Sequence, residues 1–413
     1  MALESTPYPA GGLRPLLRGD GFRRLAIAQA VSGIGDWMVT VALMVLVHDV
    51  SESSAAVGGV LVLRLIPSLF AGPLVARVVR RWDRRSMMLA MDAARAGIVL
   101  VIPLIDTLWW IYLCAFLLEL AGLLFLPARD SAVPDLAHRD ALPLANGVML
   151  ASSYGTIPFG ALAFGLVSWA AGGGAPAAVF IADAATFAIS YAYIARIDLV
   201  DRRDWDVADE GGGRFRDALR IPLVKAVGPA ALVTALGLGT LFSIGVVFVQ
   251  DVLQASTFGF GVLVALFGGG AVVGLGLLSA SGRSDVGTVR FCIFAQGVTV
   301  ATMSQLPTIL TAFIGALLFG AATAAGLATA MSILQAQLGE RDRVLAFISF
   351  HVLIRGGLAL AALGAGLAGD FLGRLHWPFF GTLPPARAVL LGAGSLVAAS
   401  SAFIRLPRAS ETE

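Results

Sequence analysis

Charge is what this sequence has least of. Only 14% of its 413 residues are Asp, Glu, Lys or Arg, against 58% hydrophobic ones, and the mean hydropathy is +0.85. Soluble domains carry ~25% charged residues. Too few charges remain to cover a water-soluble surface, which excludes a soluble enzyme and a disordered chain. Cysteine is almost missing as well. Cys114 and Cys292 both lie inside apolar runs, so no disulfide scaffold is expected, only two small core hydrophobes. The four histidines show no metal-ligand spacing with Cys, Asp or Glu, and there is no Walker sequence and no Ser–His–Asp arrangement. No metal site, no cofactor, no catalytic residue and no enzymatic activity are therefore expected. The net charge is only +2 and the arginines are dispersed, so no basic face for nucleic acid is expected.

Long hydrophobic runs are what is there. A helix needs ~20 apolar residues to cross the hydrocarbon of a bilayer. Punctuation by Arg, Asp, Pro and Gly divides the chain into twelve such spans: 22–47, 55–79, 86–105, 108–127, 142–171, 176–196, 225–251, 258–281, 287–305, 308–337, 344–369 and 386–405. The runs are continuous, with no alternation of period two, which points to helices rather than a barrel. The expected fold is thus an all-α membrane protein embedded in a lipid bilayer. Residues 1–21 are mixed and polar, unlike a cleavable signal peptide, and the first helix is expected to stay in the mature protein.

Arginine fixes the expected orientation. One set of connections holds Arg14 to Arg24, Arg77 to Arg85, Arg129, Arg139, Arg196 to Lys225, Arg283, Arg290, Arg341, Arg343, Arg405 and Arg408, while the alternate set holds only Arg374 and Arg387. Both termini are expected in the cytoplasm, and the membrane is expected to be a bacterial inner (plasma) membrane. The longest connection, 197–221, is charged and Gly-rich, which reads as a cytoplasmic linker. It separates a six-helix bundle over 22–196 from a second over 222–405, with a cytoplasmic segment at 1–21 and a tail at 406–413. The two bundles echo each other at an offset of 202: Gly72 with Gly274, Arg81 with Arg283, Asp83 with Asp285, Arg139 with Arg341 and Asp140 with Asp342. Two parallel six-span repeats suit a secondary transporter with its substrate near the midplane.

Several local runs carry a family likeness. The first span holds Ser32-Gly33-Ile34-Gly35-Asp36-Trp37, and the second Leu63-Arg64-Leu65-Ile66-Pro67-Ser68. Trp82-Asp83-Arg84-Arg85, Asp92-Ala93-Ala94-Arg95, Pro127-Ala128-Arg129-Asp130 and Ala145-Asn146-Gly147 follow in order. In these the chain resembles the major facilitator superfamily. Within it, the likeness is to the bacterial twelve-helix drug–proton antiporter branch of macrolide and enterobactin exporters, with lysophospholipid transporters as relatives. The resemblance implies two pseudo-symmetric six-helix halves and proton-coupled efflux of a small amphipathic compound by alternating access, with a monomer as the default. It also makes Arg81, Asp83, Arg84 and Arg85 the gating loop. That loop departs from the family's Gly-x-x-x-Asp-Arg-x-Gly-Arg-Arg: Ala76 and Arg80 replace the Gly and the Asp, and Asp83 replaces the second Gly. The helix-5 antiporter signature is likewise altered, to Ile157-Pro158-Phe159-Gly160-Ala161-Leu162. Two other readings stay open: a lysophospholipid flippase of the same fold, and a non-transporting sensor or scaffold.

Ionisable groups inside hydrocarbon are expensive and mark function or pairing. Asp36 and Arg64 both fall about 16 Å from the cytoplasmic edge by helix rise. They are expected to pair, either as a structural ion pair or as a proton-coupling carboxylate with its partner. Glu119, Arg95 and Asp92 are expected to cluster nearby, with Glu119 as the alternative proton site. Asp183 is expected to be partly hydrated near the outer edge. Arg355 stands alone at mid-depth with His351 one turn earlier, and is expected to face the central cavity. Asn146, Trp37 and Tyr154 are further candidates for contact with a small-molecule substrate.

Overall fold

The computed structural model describes residues 13–70, 82–137, 141–173, 177–199, 221–281, 285–337, 340–374 and 383–404. Arg81, most of the expected linker, residues 1–12 and 405–413 and the side chains of Tyr154 and His351 lie outside the described residues. The described chain is helical, with no strand among the described residues. A short α1 (Leu13–Arg18) precedes α2 (Asp20–Ser51), α3 (Ser54–Phe70), α4 (Arg84–Val101), α5 (Leu108–Leu136), α6 (Leu142–Tyr154), α7 (Ile157–Ala170) and α8 (Ala177–Ile194). A second series follows: α9 (Pro222–Val247), α10 (Thr257–Ser281), α11 (Val286–Gln305), α12 (Ile309–Gln337), α13 (Glu340–Arg374) and α14 (Pro385–Ser400). Among the described residues, eleven helical stretches are long and apolar enough to cross a membrane. The expected second span appears as α3, which is described only as far as Phe70.

Two helices differ from their expected bounds. The fourth was expected to stop at Pro127, but α5 carries both Pro127 and Pro134 and runs on to Leu136. Arg129 is therefore a buried helix residue and not a loop residue. The expected span 142–171 is broken in two at Gly155 and Thr156. Pro158 follows that break in the first turn of α7, where its missing N–H costs nothing.

The helices alternate between two ends, the near end where α2 begins and the far end where it finishes. α13 packs on both α9 and α3, while α10 packs on α12 and α7. The pairs α3–α13 and α7–α10 join the first series to the second. Lipid tails are as apolar as Leu, so close backbone approach has to hold such helices together. Gly270 and Gly274 of α10 supply it, lying against the backbone of Leu317 and Ala321 in α12.

Burial is asymmetric along the axis. One continuous core occupies the far end and draws on both series, from Val45, Val57 and Phe164 to Phe260, Phe319 and Ala362. Toward the near end two separate cores replace it. One is built on Phe22, Met88, Phe125 and Met149 of the first series, the other on Val227, Ile293, Ile333 and Phe350 of the second. Every hydrogen bond between the two series among the described residues is also at the far end. The Asp370 carboxylate of α13 accepts from Ser53 Oγ (2.5 Å), Ser54 N (2.9 Å) and Ala55 N (3.3 Å), which caps the start of α3. Ser243 Oγ donates to Ser54 O at 2.9 Å, and His48 Nε2 lies 3.2 Å from Asp251 Oδ1.

Candidate functional site

The charges expected at mid-depth of the first series do converge, from the four helices α2 to α5. Their pairing differs from expectation. Asp36 of α2 takes Arg95 of α4 (Nη1 to Oδ2, 3.4 Å), and Arg64 of α3 takes Glu119 of α5 (Nε to Oε2, 3.3 Å). Among the described residues Asp36 and Arg64 form no ion pair, and Glu119 does not join Arg95. The two pairs are linked instead through Thr40. Arg64 Nη1 donates to Thr40 Oγ1, which in turn donates to the Asp36 carbonyl at 2.6 Å.

The pairs also differ in depth of burial. Asp92 is fully sealed, with Arg95 Nη2 at 2.5 Å and Ser190 Oγ at 2.7 Å on its two oxygens. Arg95 is clamped between the rings of Phe125 and Phe187, 4.6 and 4.4 Å from their centroids. By contrast Asp36 keeps 38% of its side chain exposed, and Arg64 and Glu119 keep 23% each. The buried Asp92–Arg95 unit is a fixed anchor, while Asp36, Arg64 and Glu119 present charge to accessible space.

Asp183 of α8 completes the cluster. Sequence placed it near the outer edge and partly hydrated; the structure buries it. Gly35 has no side chain, so α2 comes up directly against Asp183 and Thr186, the neighbours a Cβ at Gly35 would strike. Thr186 Oγ1 donates to Asp183 Oδ1 at 3.0 Å, but Asp183 Oδ2 has no hydrogen-bond partner among the described residues. The signal for this carboxylate was the Gly35-Asp36 step itself, since a glycine beside a buried charge marks close helix approach.

A second polar knot lies toward the near end. Arg129 Nη1 donates to Gln29 Oε1 (2.8 Å) and Ser153 Oγ (3.0 Å), and its Nε to Asp130 Oδ1 (2.8 Å). Trp37 Nε1 donates to the Ser153 carbonyl at 3.1 Å, so α2, α5 and α6 are tied beside Asp36. Among the expected gating residues, Asp83 caps its own helix, accepting from Ser86 N at 2.9 Å. Arg84 is buried, pairing with Asp135 and donating to Ser131 O at 2.6 Å, and Arg85 donates to the Ala195 carbonyl. Asn146 is exposed on α6. Arg355 is half-buried on α13, and no carboxylate lies within ion-pair distance of it among the described residues. Among the described residues no group of His, Cys, Asp and Glu could hold a metal ion.

Comparison with known proteins adds the following. Residues 25–285 match the profile of the Major Facilitator Superfamily. The chain is 27% identical over 126 residues to the uncharacterized MFS-type transporter YfiS of Bacillus subtilis, covering 30% of each chain. It is 24% identical over 261 residues to YjbB of the same organism, another uncharacterized MFS-type transporter, covering 60% of this chain and 63% of that one. The matched lengths thus fall short of two thirds of either relative. Among solved structures, a bacterial homologue of the human lysosomal transporter Spinster, inward-facing and occupied, superposes with a TM-score of 0.75 at 16% identity, covering 97% of both chains. The nucleoside transporter NupG gives 0.74 at 12% identity, covering 93% of this chain and 98% of its own. A bacterial homologue of the iron transporter ferroportin, inward-facing, gives 0.68 at 11%, covering 95% and 100%.

Proposed function

The chain belongs to the Major Facilitator Superfamily, and from that premise we propose that it is a proton-coupled secondary transporter that exports a small amphipathic compound. It works as two six-helix halves, 22–196 and 222–405, with twelve spans and both termini in the cytoplasm of a bacterial inner membrane. The observation that carries this reading is the charge count of the cluster. Asp36, Asp92, Glu119 and Asp183 bring four carboxylates to one site, and Arg64 and Arg95 bring two guanidinium groups. Two carboxylates are left without a countercharge. Uncompensated charge inside a membrane is costly, and a proton on each of two carboxylates restores neutrality. Asp36, which shares Arg95 with Asp92, is the acceptor in contact with accessible space, and Asp183 is the second carboxylate in excess; Glu119, paired with Arg64, is the alternative proton site. Arg95, anchored by Asp92, holds Asp36 in place.

The axial asymmetry supplies the other half of the cycle. Fused at the far end and separate at the near end, the two series suit a state open to the cytoplasm. In that state substrate enters from inside, and Trp37, Tyr154, Asn146, His351 and Arg355 are the candidates for contact with it. Arg81, the helix cap Asp83 and the first residues of α4, Arg84 and Arg85, belong to the gate that closes when the molecule turns over. A ligand moves such an equilibrium only through its different affinity for the two states. Protons do this if the Asp36–Arg95 contact loosens in one of them.

Proton flux in everted vesicles tests the reading, with cationic drugs, neutral macrolide-like compounds and siderophores as a panel. Wild-type protein is expected to show a substrate-dependent proton leak. Asp36→Asn should lose uphill efflux by more than tenfold while inserting normally. Uphill efflux retained in Asp36→Asn removes Asp36 from the coupling path.

A further inference from the structure

Arg355 is a cation that its own half of the molecule leaves unanswered. It is half-buried on α13. The carboxylates of the second series, Asp251, Asp285, Glu340, Asp342 and Asp370, all stand at or near helix ends. Among the described residues no ion pair engages Arg355. A guanidinium inside a membrane without a countercharge is costly. The first series is where a countercharge is in excess.

The packing of α3 on α13 sets which part of the first series Arg355 faces. A Cβ on Gly58 would strike the backbone of Ala362, and one on Gly366 the backbone of Ser54 and Ala55. The two helices run in opposite directions, so each step from Ala362 toward the near end is matched by a step beyond Gly58. Arg355 lies two turns before Ala362, on the same face of α13. Its match on α3 is Leu65, next to Arg64, about 10 Å nearer the near end than the Gly58 contact. Arg64 in turn reaches Thr40 of α2, one turn beyond Asp36. Arg355 therefore stands level with Asp36, on the opposite half.

Charge completes the argument. Asp36, Asp92 and Glu119 have only Arg64 and Arg95 between them, and Asp36 shares Arg95 with the sealed Asp92. Adding Arg355 sets three guanidinium groups against three carboxylates. Asp183, buried against Gly35, stays outside this exchange.

We propose that Arg355 is the closing partner of Asp36. As the near end shuts, the Asp36 carboxyl gives its proton to cytoplasmic water, and the Arg355 guanidinium takes the proton's place on the carboxylate. A proton arriving from the far side reverses the step: it neutralises Asp36, frees Arg355 and lets the near end open. One proton is exchanged at each closure. The inference rests on Asp36 as the labile proton site of the proposed function.

The test measures the near-end gap of the full-length protein in liposomes by pulsed electron resonance. Spin labels go on Arg23→Cys and Lys225→Cys, exposed at the starts of α2 and α9, with Cys114 and Cys292 changed to Ala. The short-gap fraction should rise severalfold between about pH 5 and about pH 9, as Asp36 loses its proton. Arg355→Gln should lower that fraction about tenfold at the upper pH, and Arg355→Lys should restore most of it. Asp36→Asn, a fixed mimic of the protonated form, should hold the gap long at every pH. Asp36→Asn with Arg355→Gln should do no more than either alone, because partners in one ion pair are not additive. Additive effects, or a short-gap fraction in Arg355→Gln equal to wild type, overturn the pair; the pH response then still reports on Asp36. A fraction that both substitutions lower but that does not change with pH keeps the pair and removes Asp36 as the labile proton site.

Discussion

Arg95 and Arg64 carry the same charge at the same depth and are held in different ways. Arg95 is 6% exposed, and it meets a carboxylate with no exposure at all, whereas Arg64 and its partner are each 23% exposed. Removing one member of a buried pair strands the other, at about 3–5 kcal/mol, while a solvated pair contributes about 0–1 kcal/mol. Arg95→Met is therefore expected to lower the thermal midpoint of the purified protein far more than Arg64→Met. A smaller effect at Arg95 than at Arg64 contradicts the anchor assignment. Sequence shows all of these residues, because a charge in an apolar run cannot hide, and helix rise gives their depth. It does not give the rotation of one helix against the next. That rotation decides that Asp36 meets Arg95 and leaves Arg64 to Glu119. The same gap explains Asp183, whose depth along its own helix said nothing of Gly35 pressing on it from another.

Between helices, the offset of 202 residues has a structural counterpart. Asp83 starts α4 and Asp285 starts α11. Each accepts a hydrogen bond from the backbone N–H three residues on, Ser86 at 2.9 Å and Thr288 at 2.7 Å. Equivalent caps call for equivalent costs. Asp83→Ala and Asp285→Ala are each expected to lose about 1 kcal/mol, and Asp→Ser to recover most of it, as read from thermal midpoints. If Asp83 acts on the gate beyond capping, Asp83→Ser will restore stability and not transport. The helices themselves were legible because apolar length decides them. Their ends were not where proline was read as a stop. α5 runs through Pro127 and Pro134 because a membrane helix re-satisfies the carbonyls that proline frees. At Gly155 the chain does break, one turn short of Pro158, and α7 restarts with that proline in the turn that tolerates it.

At the scale of the whole molecule, one core draws on both series at the far end and two separate cores lie at the near end among the described residues; in the proposed cycle the far end is the seal and the near end the opening. The seal is held by few polar contacts, chief among them the Asp370 carboxylate on the first N–H groups of α3. An anion at a helix start is favoured by the exposed N–H groups and by the helix dipole, so this single side chain biases the two arrangements. Asp36 keeps 38% of its side chain exposed and, in the proposed cycle, reports which end is open. In protein carrying Asp36→Cys, with Cys114 and Cys292 changed to Ala, an impermeant maleimide should label the site in everted vesicles and not in right-side-out cells. Adding Asp370→Ala removes the cap and should raise labelling in right-side-out cells severalfold, since a shift of ~1.4 kcal/mol moves such an equilibrium tenfold. If the far end stays closed without Asp370, the seal resides in the apolar core alone. The α3–α13 packing would then set the balance between states. Labelling from outside before the cap is removed would reverse the assignment of the two ends.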